Sequence, residues 1–343
     1  MSAPAKSFFY EDATRAWGLI EADALQALAK LPESCIDAIV TDPPYGIGFH
    51  GEAWDGADIH RAVAGGEQLS TGEAFERWTT QWVSECARVL KPGGHMLAFS
   101  APRTFHRLVS GVEDAGLEVR DQLLWLNGQG LPKSRRLPGG LGTTLKPSFE
   151  PIMLARAPLR GNVAGNLATF GTGALNIDAT RIAGSRTEAG YWPANVVLTH
   201  AQACSEESCA PECPVRLLER GGTDAPLSRL FYCAKATRQE REAGCEMLPQ
   251  RPAQVFTGKH HPPRVVANAH PTVKPISLMR WLVRLVCPPD GLVLDQFCGS
   301  GSTGAAAVLE GRSFLGIERE PEYVDIACAR ITHWAREAAR ETA

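Results

Sequence analysis

The sequence contains no run of about 18 uninterrupted apolar residues, which is the length that a membrane-spanning helix requires. Its first residues, MSAPAKSFFYED, lack the apolar stretch of a secretion signal, so we expect a cytoplasmic protein with no membrane partner. Internal repeats and long low-complexity tracts are also missing. With 44% hydrophobic and 21% charged residues over 343 positions, the composition excludes a disordered or fibrous protein.

The sequence also lacks the cysteine density of a disulfide framework, since it has ten cysteines in 343 residues. Four residues of metal-binding type nevertheless lie within a short stretch: His200, Cys204, Cys209 and Cys213. Four nitrogen and sulfur ligands can hold a structural zinc ion tetrahedrally. Such an ion would stabilise a segment whose sequence shows little of the hydrophobic periodicity of a packed core. The spacing is looser than that of paired Cys-x2-Cys motifs, and a loop with reduced, unligated thiols is the alternative.

A strong net charge is missing too, but the charges are unevenly distributed. Residues 128–270 contain 17 Lys and Arg against 11 Asp and Glu, whereas the rest of the chain contains 18 against 27. A basic middle between acidic flanks favours a segment that contacts a polyanion. A solvated surface with no such partner would give the same counts.

Strand and helix signals alternate in the first third of the chain and again near its end. Short apolar runs at Leu19–Glu21, Ile36–Val40 and His95–Ser100 predict buried strands, and helical periodicity separates them. This alternation predicts a parallel sheet covered on both faces. In between, we find only short strand-like pieces, such as Pro151–Leu154 and Asn195–Leu198.

A glycine-rich turn follows the predicted strand Leu292–Leu294. Glycines there let the backbone pass close to a ligand and expose N–H groups at a helix start. Asp295 stands just before the glycines, where it would repel a diphosphate but tolerate a sulfonium ligand with an amino-acid tail. Glu318 ends the next strand, where it can accept hydrogen bonds from ribose hydroxyls. The pair suits S-adenosylmethionine and disfavours a nicotinamide oxidoreductase, and an ordinary tight turn is the alternative.

The segment Thr41–Gly46, with sequence TDPPYG, follows the strand Ile36–Val40 at the carboxyl edge of the sheet. Two prolines remove two backbone donors, so carbonyls and the Asp42 carboxylate remain as acceptors beside the Tyr45 ring. That combination suits a planar ring that carries an amino group. A rigid surface turn with a packed tyrosine is the alternative.

The position of the glycine turn sets the domain organisation. Only about forty residues follow it, whereas a doubly wound nucleotide-binding sheet needs several more strands, which must come from the start of the chain. We therefore predict one sheet built from two halves, with the TDPPYG turn in residues 1–127 and the cofactor turn in 270–343, and a basic insertion in 128–269.

The two motifs together resemble those of the amino-group DNA methyltransferases of the permuted β group. Asp42–Tyr45 lies upstream and Phe297–Gly301 downstream, which is the order of blocks in that group. Two other stretches, Thr143–Pro147 and Trp192–Asn195, look like a phage-type bacterial subgroup. The resemblance implies an α/β, Rossmann-like, circularly permuted S-adenosylmethionine-dependent methyltransferase fold with a large inserted target-recognition region.

The resemblance also implies site residues. The catalytic turn comprises Asp42, Pro43, Pro44 and Tyr45. The cofactor-binding residues are Asp23, Asp42, His270, Lys274, Pro275, Asp295, Phe297, Cys298, Gly299, Gly301, Ser302, Thr303 and Glu318. Lys133, Arg135 and Arg136 are the expected contacts to the DNA backbone, with solvated surface charge as the alternative.

The resemblance leads us to expect transfer of a methyl group from S-adenosylmethionine to the N6 of an adenine flipped out of duplex DNA. Cytosine-N4 methylation shares the mechanism and is the nearest alternative. RNA methylation and a catalytically inactive DNA-binding relative are the others. A homodimer and a cognate restriction endonuclease are further possible partners.

Overall fold

The computed structural model describes residues 7–12, 15–126, 137–182, 190–199, 213, 231–233, 235–252 and 265–342. The strands are β1 Ser7–Asp12, β2 Arg15–Glu21, β3 Ile36–Thr41, β4 Leu90–Phe99, β5 Glu118–Leu126, β6 Phe149–Arg156, β7 Val196–Leu198, β8 Phe231–Tyr232, β9 Arg251–Pro252, β10 Val265–Val266, β11 Leu292–Asp295 and β12 Ser313–Glu318. The helices are α1 Ala24–Leu28, α2 Ala57–Val63, α3 Thr71–Val89, α4 Phe105–Asp114, α5 Val163–Phe170, α6 Arg238–Glu242, α7 Ile276–Val286, α8 Ser302–Leu309 and α9 Pro321–Thr342. Single 3-10 turns cover Phe49–Gly51, Ala53–Asp55, Pro138–Gly140 and Asp178–Thr180.

Ten of the described strands form one sheet in the order β1-β2-β12-β11-β3-β4-β6-β5-β7-β8, and β9 pairs separately with β10. The two ends of the chain meet in the middle of this sheet. β11 lies parallel to β3, with Val293 opposite Ala38 and Leu294 opposite Ile39, and it pairs on its other side with β12. The prediction of a permuted α/β sheet, closed by the first and last parts of the chain, is confirmed.

Both faces of the sheet are buried, as the apolar strand sequences predict. On β4, Leu97 and Phe99 belong to the core on one face, whereas Met96 and Ala98 belong to the core on the other. The first core is covered by α7, α8 and α9. The second is covered by α1, α3 and α4. None of the described helices combines the length and apolarity needed to cross a membrane.

The expectation of a purely parallel sheet is wrong at β6 and at β1. β6 runs antiparallel to both β4 and β5, and β1 runs antiparallel to β2. β6 lies within the predicted insertion, yet it occupies the sheet between β4 and β5 and continues beyond the four residues expected, 151–154. Its residues from Pro151 to Arg156 are all buried, so its sequence shows no alternation that would indicate its direction.

The close packing of α8 on α9 generates a stability prediction. A Cβ at Gly304 would lie 2.6 Å from Ile331 Cδ1 and 2.6 Å from Phe314 Cε1. Gly304→Ala should therefore lower the free energy of unfolding by about 1–3 kcal/mol through overpacking. Gly165→Ala in α5 is the matched control, because a Cβ there meets only Asn162 Oδ1 at 3.4 Å. It should stabilise by about 0.5–1 kcal/mol through helix propensity. Urea denaturation of both variants checks this, and stabilisation by both would contradict the packing described.

Candidate active site

Two acidic residues lie at the carboxyl edge of the sheet, at the ends of neighbouring strands. Asp42 comes directly after β3, and Asp295 is the last residue of β11. Thr41 Oγ1 donates a hydrogen bond to Asp295 Oδ1 at 2.7 Å. This contact connects the predicted catalytic turn to the predicted cofactor turn across 254 residues of chain.

Asp295 is surrounded by hydrogen-bond donors although it is only 2% exposed. Thr303 Oγ1 donates to its Oδ2 at 2.6 Å, and the backbone N–H of Phe297 donates to its Oδ1 at 3.1 Å. Burial raises the pKa of the Asp295 carboxyl to about 6, against the effect of these donors. The carboxylate therefore fixes the start of the glycine turn to the first turn of α8.

The glycine turn folds tightly against His270 and Glu318. Gly299 has φ 51°, and a Cβ at this position would lie 2.6 Å from His270 Nε2, so the close approach requires glycine. The N–H of Gly299 donates to Glu318 Oε2 at 2.8 Å. Burial lowers the pKa of His270 to about 3, so its imidazole is neutral, and burial raises the pKa of Glu318. Gly301 instead allows α9 to approach, since its Cβ would lie 3.0 Å from Ala327 Cα.

Arg330 donates hydrogen bonds from α9 to the glycine turn, and the sequence analysis did not predict this role. This arginine of α9 is fully buried, and its Nη1 donates to the Ser300 carbonyl at 2.5 Å and to Ser300 Oγ and Ser302 Oγ at 3.2 Å. Burial lowers its pKa to about 10, so the guanidinium is still charged at neutral pH. A signal was present in the sequence, because Arg330 stands three residues after Ala327 and next to Ile331 on the apolar stripe of α9.

Asp55, also missed, holds the loop that follows the catalytic turn. Its buried carboxylate accepts four backbone hydrogen bonds, from Tyr45 at 2.5 Å, Gly46 at 2.8 Å, Ile47 at 3.2 Å and Phe49 at 2.7 Å. Charge-assisted bonds of this kind are among the stronger ones in proteins. They fix the backbone that carries the Tyr45 side chain.

Aromatic packing positions Phe297, the middle one of the three residues between Asp295 and Gly299. Its ring lies 5.5 Å from that of Trp78 and 5.3 Å, edge-on, from that of Trp82, measured between centroids. Both tryptophans lie on α3, whose periodicity was predicted from the sequence. α3 therefore supports the cofactor turn directly.

The predicted catalytic turn is itself part of a cluster of charged and polar groups. Tyr45 Oη donates to Asp42 Oδ1 at 2.7 Å, and Lys274 Nζ donates to Asp42 Oδ2 at 2.5 Å. Glu150 Oε2, on β6, lies 3.4 Å from both Tyr45 Oη and Lys274 Nζ. Burial of Lys274 favours its neutral form. The carboxylates of Asp42 and Glu150 outweigh this effect and keep the pKa of Lys274 above its ordinary value. Thr104 Oγ1 donates to the Tyr45 carbonyl at 2.7 Å.

These groups line one cleft of about 910 Å³. It brings together nearly all the residues expected at the site: Asp23, Asp42, Pro43, Pro44, Tyr45, His270, Lys274, Pro275, Asp295, Phe297, Cys298, Gly299, Ser302, Thr303 and Glu318. Gly301 is described but lies outside the lining. Cys298 is buried, and burial raises its pKa well above the ordinary value, so its thiol is not a nucleophile.

Several expected residues fall outside the part of the chain that the structure describes. These are the expected DNA contacts Lys133, Arg135 and Arg136 and three of the zinc ligands, His200, Cys204 and Cys209. The fourth, Cys213, is described and buried. No cluster of three metal-binding side chains occurs among the described residues, so the zinc site stays a prediction.

Gln296 is unusual among the residues that line the cleft. Its side chain is 1% exposed, and both polar atoms of its amide lack a hydrogen-bond partner in the described structure. An unpaired buried amide costs free energy and is typical of a site where a polar ligand supplies the missing partner. The cleft is therefore built to receive such a ligand beside Asp295.

Comparison with known proteins agrees with this geometry. Residues 36–329 match the model of the N6/N4 DNA methylase family, described as "DNA methylase". The match covers most of the chain, so the chain belongs to this family and is a DNA methyltransferase.

Two curated relatives come from Haemophilus influenzae. Type II methyltransferase M.HindIII is 24% identical over 355 residues, covering 91% of this chain and 94% of that protein. Type II methyltransferase M.HinfI is 20% identical, covering 91% of this chain and 67% of that protein. The solved structure of PvuII DNA methyltransferase, described as cytosine-N4-specific, is 17% identical, with a TM-score of 0.50 and coverage of 94% of this chain and 92% of that one. It shares the fold.

The role of Asp55 gives a second prediction. In Asp55→Asn, the Nδ2 group turns a donor towards backbone N–H groups and leaves two of them without an acceptor. We expect the free energy of unfolding to fall by about 2 kcal/mol and methyl transfer to slow. Asp178→Asn is the matched control, because Asp178 is exposed, pairs with Arg181 and lies outside the cleft lining, so the change should alter stability by less than about 0.5 kcal/mol. Chemical denaturation distinguishes them, and equal effects would contradict the assigned role of Asp55.

Proposed function

We propose that this protein transfers a methyl group from S-adenosylmethionine to the N6 of an adenine flipped out of duplex DNA. The observation that carries the proposal is the meeting of Asp42–Tyr45 and the Asp295 turn in one cleft, joined by the bond from Thr41 to Asp295. Acceptors for a target amine and acidic groups for a cationic cofactor thus lie side by side. Membership of the N6/N4 family supports the reaction type.

The residues of the cofactor side fit S-adenosylmethionine. Asp295 suits an ammonium group and disfavours a phosphate. Glu318, at the end of β12, suits ribose hydroxyls, and Asp23, the N-cap of α1, lies in the same cleft. The unpaired amide of Gln296 offers one donor group and one acceptor to a polar ligand. When bound, the cofactor supplies an electrophilic methyl group on a sulfonium.

On the target side, the chain supplies hydrogen-bond acceptors held in place. The adenine N6 lone pair is delocalised into the ring, so the amine is a poor nucleophile. The Asp42 carboxylate and the Pro43 carbonyl would accept the amine hydrogens and localise the lone pair. Tyr45 and Lys274 hold the carboxylate by its two oxygens, so most of the rate enhancement comes from positioning and electrostatics.

The basic segment 128–270 is the part we assign to DNA. Extrusion of a base costs a few kcal/mol, which contacts to phosphates and base edges would offset. We propose Lys133, Arg135 and Arg136 for the phosphate contacts and His200, Cys204, Cys209 and Cys213 for a structural zinc. A homodimer, a cognate restriction endonuclease and a cytoplasmic location complete the proposal.

The direct test is methyl transfer from labelled S-adenosylmethionine to duplex DNA of mixed sequence, followed by mass spectrometry of the nucleosides. We expect N6-methyladenine from the wild type and its loss in Asp42→Ala. Labelled cofactor binding is measured for both proteins, so that a loss of binding is separated from a loss of transfer.

Other products would change the assignment in defined ways. N4-methylcytosine would keep the mechanism and overturn the base. No methylated nucleoside in DNA, with cofactor bound normally, would contradict the proposal and favour RNA methylation or a binding protein without turnover.

A further inference from the structure

Glu150 is an acidic residue of the cleft that no motif indicated. It lies on β6, in the segment that the sequence analysis assigned to target recognition. Its Oε2 lies 3.4 Å from Lys274 Nζ, and that ammonium is also 2.5 Å from Asp42 Oδ2. The side chain of Lys274 is 8% exposed, that of Asp42 18% and that of Glu150 29%. The Lys274 ammonium thus pairs with two carboxylates at a site with little exposure to water.

Lys274 has two aromatic rings beside its ammonium group. Its ammonium lies 4.7 Å from the centroid of the Phe99 ring and 5.7 Å from that of Tyr45. The phenol of Tyr45 is neutral, because burial and the two carboxylates raise its pKa. With both carboxylates ionised and the ammonium protonated, the formal charges of Asp42, Glu150 and Lys274 sum to −1.

Methyl transfer moves positive charge towards this cluster. The bond from the methyl carbon to the target nitrogen forms while the bond to sulfur breaks, and the electron pair of the broken bond stays on sulfur. The nitrogen becomes cationic until its extra proton passes to the Asp42 carboxylate and then to water. A cluster with net negative charge stabilises that developing cation in a site of low dielectric. With Lys274 on Asp42 alone, the cluster would be neutral.

We propose that Glu150 is a positioning residue that balances the charge of Lys274, so that Asp42 meets the target amine as part of a net anionic cluster. The inference rests on the proposed methyl transfer. Glu150 acts through Lys274: it takes up part of the ammonium's charge and leaves Asp42 a stronger acceptor. Removal of its charge should impair transfer and leave cofactor binding intact.

The isosteric variant Glu150→Gln tests this under single-turnover conditions. We expect the transfer rate to fall roughly tenfold to hundredfold, with affinities for cofactor and DNA within about threefold of the wild type. Glu150→Asp keeps the charge and should retain most of the rate. Glu113→Gln, an exposed site on α4, makes the same change in net charge away from the cleft and should have no effect.

The pH profile of the rate separates charge balance from a merely structural role. Lys274 lowers the pKa of Asp42 and Glu150 raises it, while Tyr45 donates to Asp42 and Asp295 lies behind Thr41. The acid limb of the profile, where the rate falls as Asp42 is protonated, should therefore move to lower pH in Glu150→Gln and to higher pH in Lys274→Met. Because Lys274 affects the pKa of Asp42 more than Glu150 does, the limb of the double variant should lie between those of the wild type and Lys274→Met, and about tenfold of the rate lost in Glu150→Gln should be recovered.

The outcomes distinguish this inference from the proposed function. An inactive wild type that binds cofactor would refute the proposed function and the inference with it. An active wild type whose rate and acid limb are unchanged in Glu150→Gln would overturn the inference alone. Equal loss in Glu150→Gln and Glu150→Asp, with an unmoved limb, would also overturn it, because it would show a role in packing. Thermal unfolding of each variant verifies that the chain is folded.

Discussion

The parallel pairing of β3 with β11 is the constraint on which the rest of the site depends. These strands come from opposite ends of the chain, and their carboxyl ends bring Asp42 and Asp295 into one cleft. The hydrogen bond from Thr41 to Asp295 connects the two turns directly. Because both strands are buried on both faces, a one-residue shift of register would move their apolar side chains into the opposite core and displace both acids. The core thus sets the geometry of the reaction.

Buried charge is the second constraint on the site. The buried charged groups described above each have hydrogen-bond partners. Asp55 has four backbone donors, Asp295 has two threonine hydroxyls and a backbone N–H, and Arg330 has the oxygens of the glycine turn. Burial of charge without such partners costs several kcal/mol per group. The cleft therefore contains preorganised polar groups, whereas neither polar atom of the buried Gln296 amide has a partner in the described structure.

Local sequence signals were sufficient to predict the two motifs. They were insufficient to predict the residues that hold those motifs in place. Asp42 and Asp295 were predictable because each follows an apolar strand and precedes residues that break regular structure. β6 was seen only as a four-residue piece, because a strand buried on both faces has no alternation. Glu150 acts on residues that are distant in sequence and leaves no local pattern, whereas Arg330 is signalled only by its place on the apolar stripe of α9. The predicted domain boundaries, DNA contacts and zinc ligands stay predictions.

The most direct measurement compares Asp42→Asn with Asp295→Asn in cofactor affinity and in single-turnover transfer to DNA. If β3 carries the target side of the cleft and β11 the cofactor side, Asp42→Asn loses transfer at saturating cofactor, whereas its affinity for S-adenosylmethionine falls less than that of Asp295→Asn. Asp295→Asn then loses affinity by at least tenfold. Normal cofactor binding by Asp295→Asn, or an equal loss of affinity in both variants, would contradict this division of the site.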